Sequence, residues 1–207
     1  MPRRSAATAG RPPADAGRHP GEGDTRERIL DVALDLFTEQ GYDNTTVAQI
    51  ADRAGLTKST FFRYFPDKRE VLVAGQDTLS RLFAEGIAAA PDAATPLEAV
   101  AAALDAAAVA ITPERRELGP RLQAVVAANS ELQERDALKR VGLAKAMSDA
   151  LQRRGVADPA ASLAAELGVL AFKRAFARWM DPGNRQEFCD LARQSLQELR
   201  AASAALG

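Results

Sequence analysis

The sequence predicts an all-α protein of about nine helices, and three observations carry that expectation. No stretch of the 207 residues alternates apolar and polar side chains for long enough to suggest a strand. The hydrophobic fraction of 46% leans on alanine, the strongest helix former. Helix punctuation recurs along the whole chain, as capping residues, acidic or amide partners three positions later, and glycine or proline stops.

Taken in order, Asp24 with Glu27 opens a first helix whose apolar face is Ile29, Leu30, Ala33, Leu36 and Phe37, and Gly41 stops it. Thr46 and Gln49 form a capping box for a second, in which Val47, Ile50, Ala51 and Ala54 share one face; Gly55 ends it. Thr57 caps a third, short helix that Pro66 terminates. Asp67 and Glu70 open a long fourth helix reaching about Ala90. Thr95 with Glu98 caps a fifth, with Pro96 at the favoured first position. Thr112-Pro113 starts a sixth, which Gly119-Pro120 should kink or restart. Ser130 with Gln133 caps a seventh, closed by Gly155. Asp158-Pro159 opens an eighth through Met180, and a ninth follows from Arg185 to about Ala202.

Composition removes several classes of function. Cys189 is the single cysteine, so neither an intramolecular disulfide nor a cysteine zinc site is expected, which fits a reducing, cytoplasmic setting. His19 is the single histidine, which excludes a histidine-based catalytic triad and a multi-histidine metal centre. No enzyme activity and no cofactor are expected. No apolar run is long enough to span a membrane. Residues 1–23 read as a disordered basic arm carrying Arg3, Arg4, Arg11 and Arg18.

Charge offers no general sign of nucleic acid, because the chain carries a net −1. Residues 24–68 hold six Lys/Arg against eight Asp/Glu, a net of −2. Placement has to carry any DNA-binding reading. "LTKSTFFRYFPDK" supplies it, with four aromatics in five residues behind a tight glycine turn. Phe61 and Phe65 share a helix face with Leu56 and read as core. The opposite face presents Lys58, Ser59, Phe62 and Arg63, an unusual setting for a phenylalanine unless that face enters a major groove. Ser59 lets the backbone approach base edges, Arg63 can fork onto guanine, and Lys58 can reach guanine or phosphate. Phe62 can meet a thymine methyl, and Thr46, Thr57, Thr60, Tyr64 and Lys68 are expected to contact the DNA backbone or hold the helix against it.

"TTVAQIADRAGLTKSTFFRYFPDKREVL", with "LFTEQGYDNTT" before it, resembles the TetR/AcrR-family helix-turn-helix over about residues 24–72. The family pattern often has tyrosine where Phe62 stands. The resemblance implies a dimeric, ligand-responsive transcriptional regulator, usually a repressor, built from nine or so helices. On that reading residues 24–68 form the DNA-binding domain, with the helix-turn-helix at about 46–65. Residues 69–207 form an effector-binding and dimerisation domain.

The expected partners are a double-stranded DNA operator, a second copy of the chain and a small, largely apolar effector. Dimerisation is assigned to about 159–180 and 185–202. There Ala161, Ala164, Ala165, Gly168 and Ala171 would permit close helix approach, and Leu163, Leu167, Leu170, Leu191, Leu196 and Leu199 would add apolar area. Candidate pocket walls are Leu79, Phe83, Leu104, Leu122, Val126, Met147, Phe172 and Phe176. Gly75 and Gly86 mark places where the fourth helix could bend. Arg115, Arg116 and Arg121 read first as a solvated face and second as a hold for an anion. An all-helical enzyme or ligand carrier without DNA binding is the competing class; an architectural DNA binder would not need so long a helical remainder.

Overall fold

The structure, a computed structural model, describes residues 22–73 and 76–206. Among them there are helices and no strands: α1 Glu22–Gln40, α2 Val47–Arg53, α3 Lys58–Tyr64, α4 Lys68–Val73, α5 Gln76–Ala89, α6 Pro96–Ala108, α7 Pro113–Ala127, α8 Ser130–Arg153, α9 Ala160–Trp179 and α10 Phe188–Ala204. The all-α expectation therefore holds. The expected fourth helix corresponds to α4 and α5, and Gly75 lies outside the described residues, as does the arm up to residue 21.

Local punctuation explains most of these boundaries. Both predicted capping boxes form, at Thr46/Gln49 and Thr95/Glu98. Gly41, Gly55 and Gly155 each adopt positive φ (84°, 68° and 86°) after a helix, a region glycine enters without a Cβ penalty. Other boundaries differ from expectation. α1 begins before Asp24, which sits inside its first turn. Asn129, not Ser130, caps α8 by accepting from the Leu132 amide, while Gln133 donates to Ala127 O. Arg185 stays in the turn before α10, where it closes on the carbonyls of Pro182 and Asn184.

α7 runs through Gly119-Pro120 as one helix, and the expected restart does not occur. The glycine there serves packing. A Cβ on Gly119 would stand 2.0 Å from Met180 Sδ. Gly86 is a similar correction. It is buried where α5 and α6 touch, and a Cβ would meet Ala103 Cα at 2.6 Å and Ala102 O at 2.8 Å. Close approach accounts for that glycine, and no bend need be invoked.

Two apolar cores result. One joins α1 to α4 through Ile29, Leu34, Ile50, Phe61 and Val71, and it also takes in Val125 of α7 and Leu132 of α8. The other is formed by α5, α6, α8, α9 and α10 around Phe83, Leu104, Met147 and Leu191. The small-residue stripe of α9 faces this second core, so its predicted role between subunits is corrected. Ala161, Ala164, Ala165 and Ala171 are buried within the protomer, and a Cβ on Gly168 would lie 2.7 Å from Val100 Cγ1. Leu191 and Leu196 are also internal. Leu163 and Leu170, on the other side of α9, remain 57% and 43% exposed.

Candidate nucleic-acid interface

The reading head is built from short helices whose ends are tied locally. Thr46 Oγ1 accepts from the Gln49 amide at 3.3 Å, and Gln49 Oε1 accepts from the Thr46 amide at 2.8 Å. Between α2 and α3, the Leu56 amide returns to Ala51 O at 2.8 Å, with Gly55 supplying the left-handed residue. Thr57 Oγ1 accepts from the Thr60 amide at 3.1 Å, and the two hydroxyls lie 2.9 Å apart. These ties fix where α3 starts and how it leaves α2.

α3 then divides by face as its 3.6-residue period requires. Phe61 is fully buried and Phe65 nearly so. Lys58, Ser59, Phe62 and Arg63 all point outward, and Phe62 is 52% exposed. Its ring stands edge-on to Phe61 with centroids 5.7 Å apart, which holds an exposed aromatic in a defined place. The Arg63 guanidinium rests 5.1 Å from the Tyr64 ring centroid and donates to its hydroxyl at 3.3 Å. Thus Thr57, Lys58, Ser59, Phe62, Arg63 and Tyr64 come together along one short helix, with Thr46 at the head of the preceding one.

Lys68 is used differently from the expected phosphate contact. Its ammonium donates to Tyr42 O at 2.7 Å and Thr45 O at 3.0 Å and sits 4.2 Å from the Tyr42 ring centroid. Two of its three N–H groups are therefore committed to the α1–α2 loop. Lys68→Ala is expected to lower the thermal stability of the head by about 1.5–3 kcal/mol, the range for hydrogen bonds from a charged donor. A thermal melt unchanged by that variant would contradict this role. The Tyr42 phenol is pushed up to about 12 by burial, with the negative charge of Glu131 next in weight.

Sequence reasoning missed Tyr42, whose only signal is its place after the Gly41 stop, and the Glu39–Arg53 pair, whose fourteen-residue separation has no helical spacing to betray it. Arg53 forks onto the Glu39 carboxylate at 2.5 and 2.7 Å, clamping α2 to the end of α1. That hydrogen bond holds the Glu39 carboxyl below its ordinary range.

The acidic residues that made the head net negative are largely engaged away from α3. Arg121 of α7 bridges Asp31 at 3.0 Å and also Asp35. Arg69 spans Asp67 at 2.7 Å and Glu131 at 3.0 Å, while Arg135 meets Glu70 at 2.5 Å. Burial would raise Asp67, but the Arg69 guanidinium and the backbone amides of Glu70 and Arg69 outweigh it and hold the carboxyl low. Among the described residues, neither Lys58 nor Arg63 enters an ion pair. The exposed face of α3 is consequently cationic and aromatic although the domain is not basic.

Six of the eight predicted pocket walls meet in the second core, although they line neither described cleft. Leu79, Phe83, Leu104 and Met147 are buried core residues, and Leu122 and Val126 pack on the head's core. Phe172 and Phe176 are only partly buried. The described clefts open at the surface and are lined by other residues.

A capped helix, a left-handed glycine and a second short helix with a cationic outer face define a helix-turn-helix DNA-binding domain on a helical body. Residues 29–74 match the family model described as bacterial regulatory proteins, tetR family. That match is confined to the helix-turn-helix head and the short helix that follows it. The chain is 37% identical over 82 residues to the HTH-type transcriptional regulator TcmR of Streptomyces glaucescens, covering 40% of this chain and 36% of that protein. The chain thus spans less than two-fifths of that relative's length. Likeness of fold extends further. A protein from Syntrophomonas wolfei assigned to the TetR-family regulators shares the fold over 89% of this chain and 96% of its own, with a TM-score of 0.55 and 18% identity. The regulator FadR of Bacillus subtilis, solved in complex with stearoyl-CoA, covers 83% and 96% with a TM-score of 0.53 and 19% identity.

Proposed function

We propose that the protein is a homodimeric transcriptional repressor that binds an inverted-repeat operator through α3 and releases it on binding a small effector. The observation that carries this reading is the outer face of α3, where Lys58, Ser59, Phe62 and Arg63 stand exposed on a helix whose other face is locked in the core. Arg63 forks onto guanine, leaving the Tyr64 ring for the base edge, and Phe62 packs on a thymine methyl or sugar. Thr46, Thr57 and Tyr64 lie where phosphates flank such a helix, and Thr60 secures its first turn.

DNA pull-down with sequencing of the enriched sites tests the reading, the expected product being a two-fold symmetric motif. Arg63→Ala should cost about 1–3 kcal/mol of operator affinity and relax preference at one base pair in each half-site. An unchanged gel-shift titration would mean that α3 does not read bases.

The second copy docks on the outer side of α9. Leu163 and Leu170 are one heptad apart and exposed, and the half-buried Leu167 lies beside them. Operator binding then requires the two recognition helices of the dimer to lie about 34 Å apart, as successive major grooves do. Replacing both Leu163 and Leu170 with aspartate is expected to give a monomer in sedimentation at micromolar concentration. A dimer surviving that double change would place the interface elsewhere.

Effector binding in the α5–α10 body is supported by the fold it shares with a regulator solved with stearoyl-CoA. A coupling of about 1–3 kcal/mol, roughly 5- to 150-fold in operator affinity, is enough for such control. The route for that coupling is the α7–α8 corner, which meets the head through Val125, Leu132 and the Arg121, Glu131 and Arg135 ion pairs.

A further inference from the structure

We propose that the cleft between the first half of α7 and the α9–α10 corner binds an amphipathic anion. Arg116 and Arg185 hold its acidic head, and its apolar tail lies toward the aromatic row of α9. The proposal rests on the effector reading above and supplies it with a place and a ligand class.

The cleft is lined by Arg116, Glu117, Pro120, Met180, Pro182 and Arg185. Each arginine is anchored through a single terminal nitrogen. Arg116 Nη2 donates to Asp181 O at 3.0 Å and Asn184 O at 2.8 Å. Arg185 Nη1 donates to Pro182 O at 2.8 Å and Asn184 O at 3.0 Å. Carbonyls orient these forks without neutralising them, and among the described residues neither arginine forms an ion pair. Arg121 and Arg135, by contrast, face carboxylates. The remaining N–H groups of each fork suit a carboxylate or phosphate. Glu117 opposes an anion and confines the head to the arginine side.

The apolar half of the site begins directly beneath. The Arg116 guanidinium lies 5.8 Å from the Trp179 ring centroid. Trp179 leads to Phe176 at 5.9 Å, Phe172 at 6.2 Å and Phe83 at 5.6 Å, a continuous file of rings into the body. Phe172 and Phe176 keep part of their surface uncovered, and α7 packs chiefly on α1 and α8. Between cleft and file sits Met180, a flexible thioether admitted only because Gly119 lacks a Cβ. Its displacement joins the two. A purely apolar molecule would have no use for the two forks, and a small inorganic anion none for the rings.

Trp179 is the only tryptophan, so its emission reports on this place alone. The full chain is titrated with dodecanoate, dodecan-1-ol and inorganic phosphate. Dodecanoate should change the emission saturably, dodecan-1-ol should bind about a hundredfold more weakly because it forgoes two charge-assisted contacts of about tenfold each, and phosphate should leave the signal unchanged. Arg116→Gln and Arg185→Gln should each weaken dodecanoate about tenfold, by the same contact. Arg185→Gln keeps the test valid even if Arg116→Gln disturbs the corner. Equal binding of the acid and the alcohol, or a dodecanoate response untouched by Arg185→Gln, overturns the anion site. No saturable response to dodecanoate overturns the proposal whole. Operator binding of the same samples without ligand separates the readings. Arg185→Gln should bind DNA as the parent does, whereas a parent that binds no DNA refutes the regulator and not the cleft.

Discussion

Phe61→Ala is expected to cost the reading head about 3–5 kcal/mol, the usual range for emptying a fully buried phenylalanine site. Phe61 is wholly inaccessible and lies within ring-contact distance of both Phe62 and Phe65. Its loss removes the anchor of α3 and the edge contact that positions the exposed Phe62. Because total domain stability is about 5–15 kcal/mol, a change of this size leaves little of the head folded at moderate temperature. The body should be less affected, since Trp179 belongs to the other core. Melting followed by helical circular dichroism should therefore show an early transition that Trp179 fluorescence does not. Coincident transitions in the variant would mean that the two cores unfold as one.

Gly86→Ala is expected to destabilise the body although alanine is the better helix former by about 1 kcal/mol. The added methyl would meet Ala103 Cα at 2.6 Å and Ala102 O at 2.8 Å. Those are backbone atoms, which cannot rotate aside, so α5 and α6 would have to separate along their whole shared face. Overpacking of this kind typically costs about 1–3 kcal/mol, more than the propensity gain. Urea unfolding followed at Trp179 should show a lower midpoint. A midpoint at or above that of the parent would mean that the close α5–α6 approach is not needed.

Much of the reading head was legible because its determinants are local. A cap at Thr46 answered by Gln49, a left-handed glycine at position 55 and a cap at Thr57 are decided by residues within a few positions of one another. The division of α3 into Phe61 inside and Phe62 outside follows from helical period alone. The anchoring role of Lys68 was not legible, for the opposite reason. Its partners, Tyr42 O and Thr45 O, lie 26 and 23 residues away, and nothing near Lys68 signals them.

The body shows the same contrast on a larger scale. Spacing on α9 identified one row of small residues and one of leucines, but a helix cannot say from its own sequence which row meets its protomer. Packing against Val100 and Met147 decided that the small residues turn inward and Leu163 and Leu170 outward. Likewise Arg116 and Arg121 stand five residues apart on one helix with the same chemistry. One came to rest over Trp179 and the other between Asp31 and Asp35, because each face of α7 meets a different neighbour. By itself the sequence determined the capping boxes, the glycine stops and which face of the recognition helix is exposed, since hydrogen bonds and side-chain periodicity act over one or two turns. Only the tertiary structure decided which glycines are contacts, which lysine is an anchor and which arginines remain without a carboxylate, because those outcomes depend on groups brought together from about 16 to 90 positions apart.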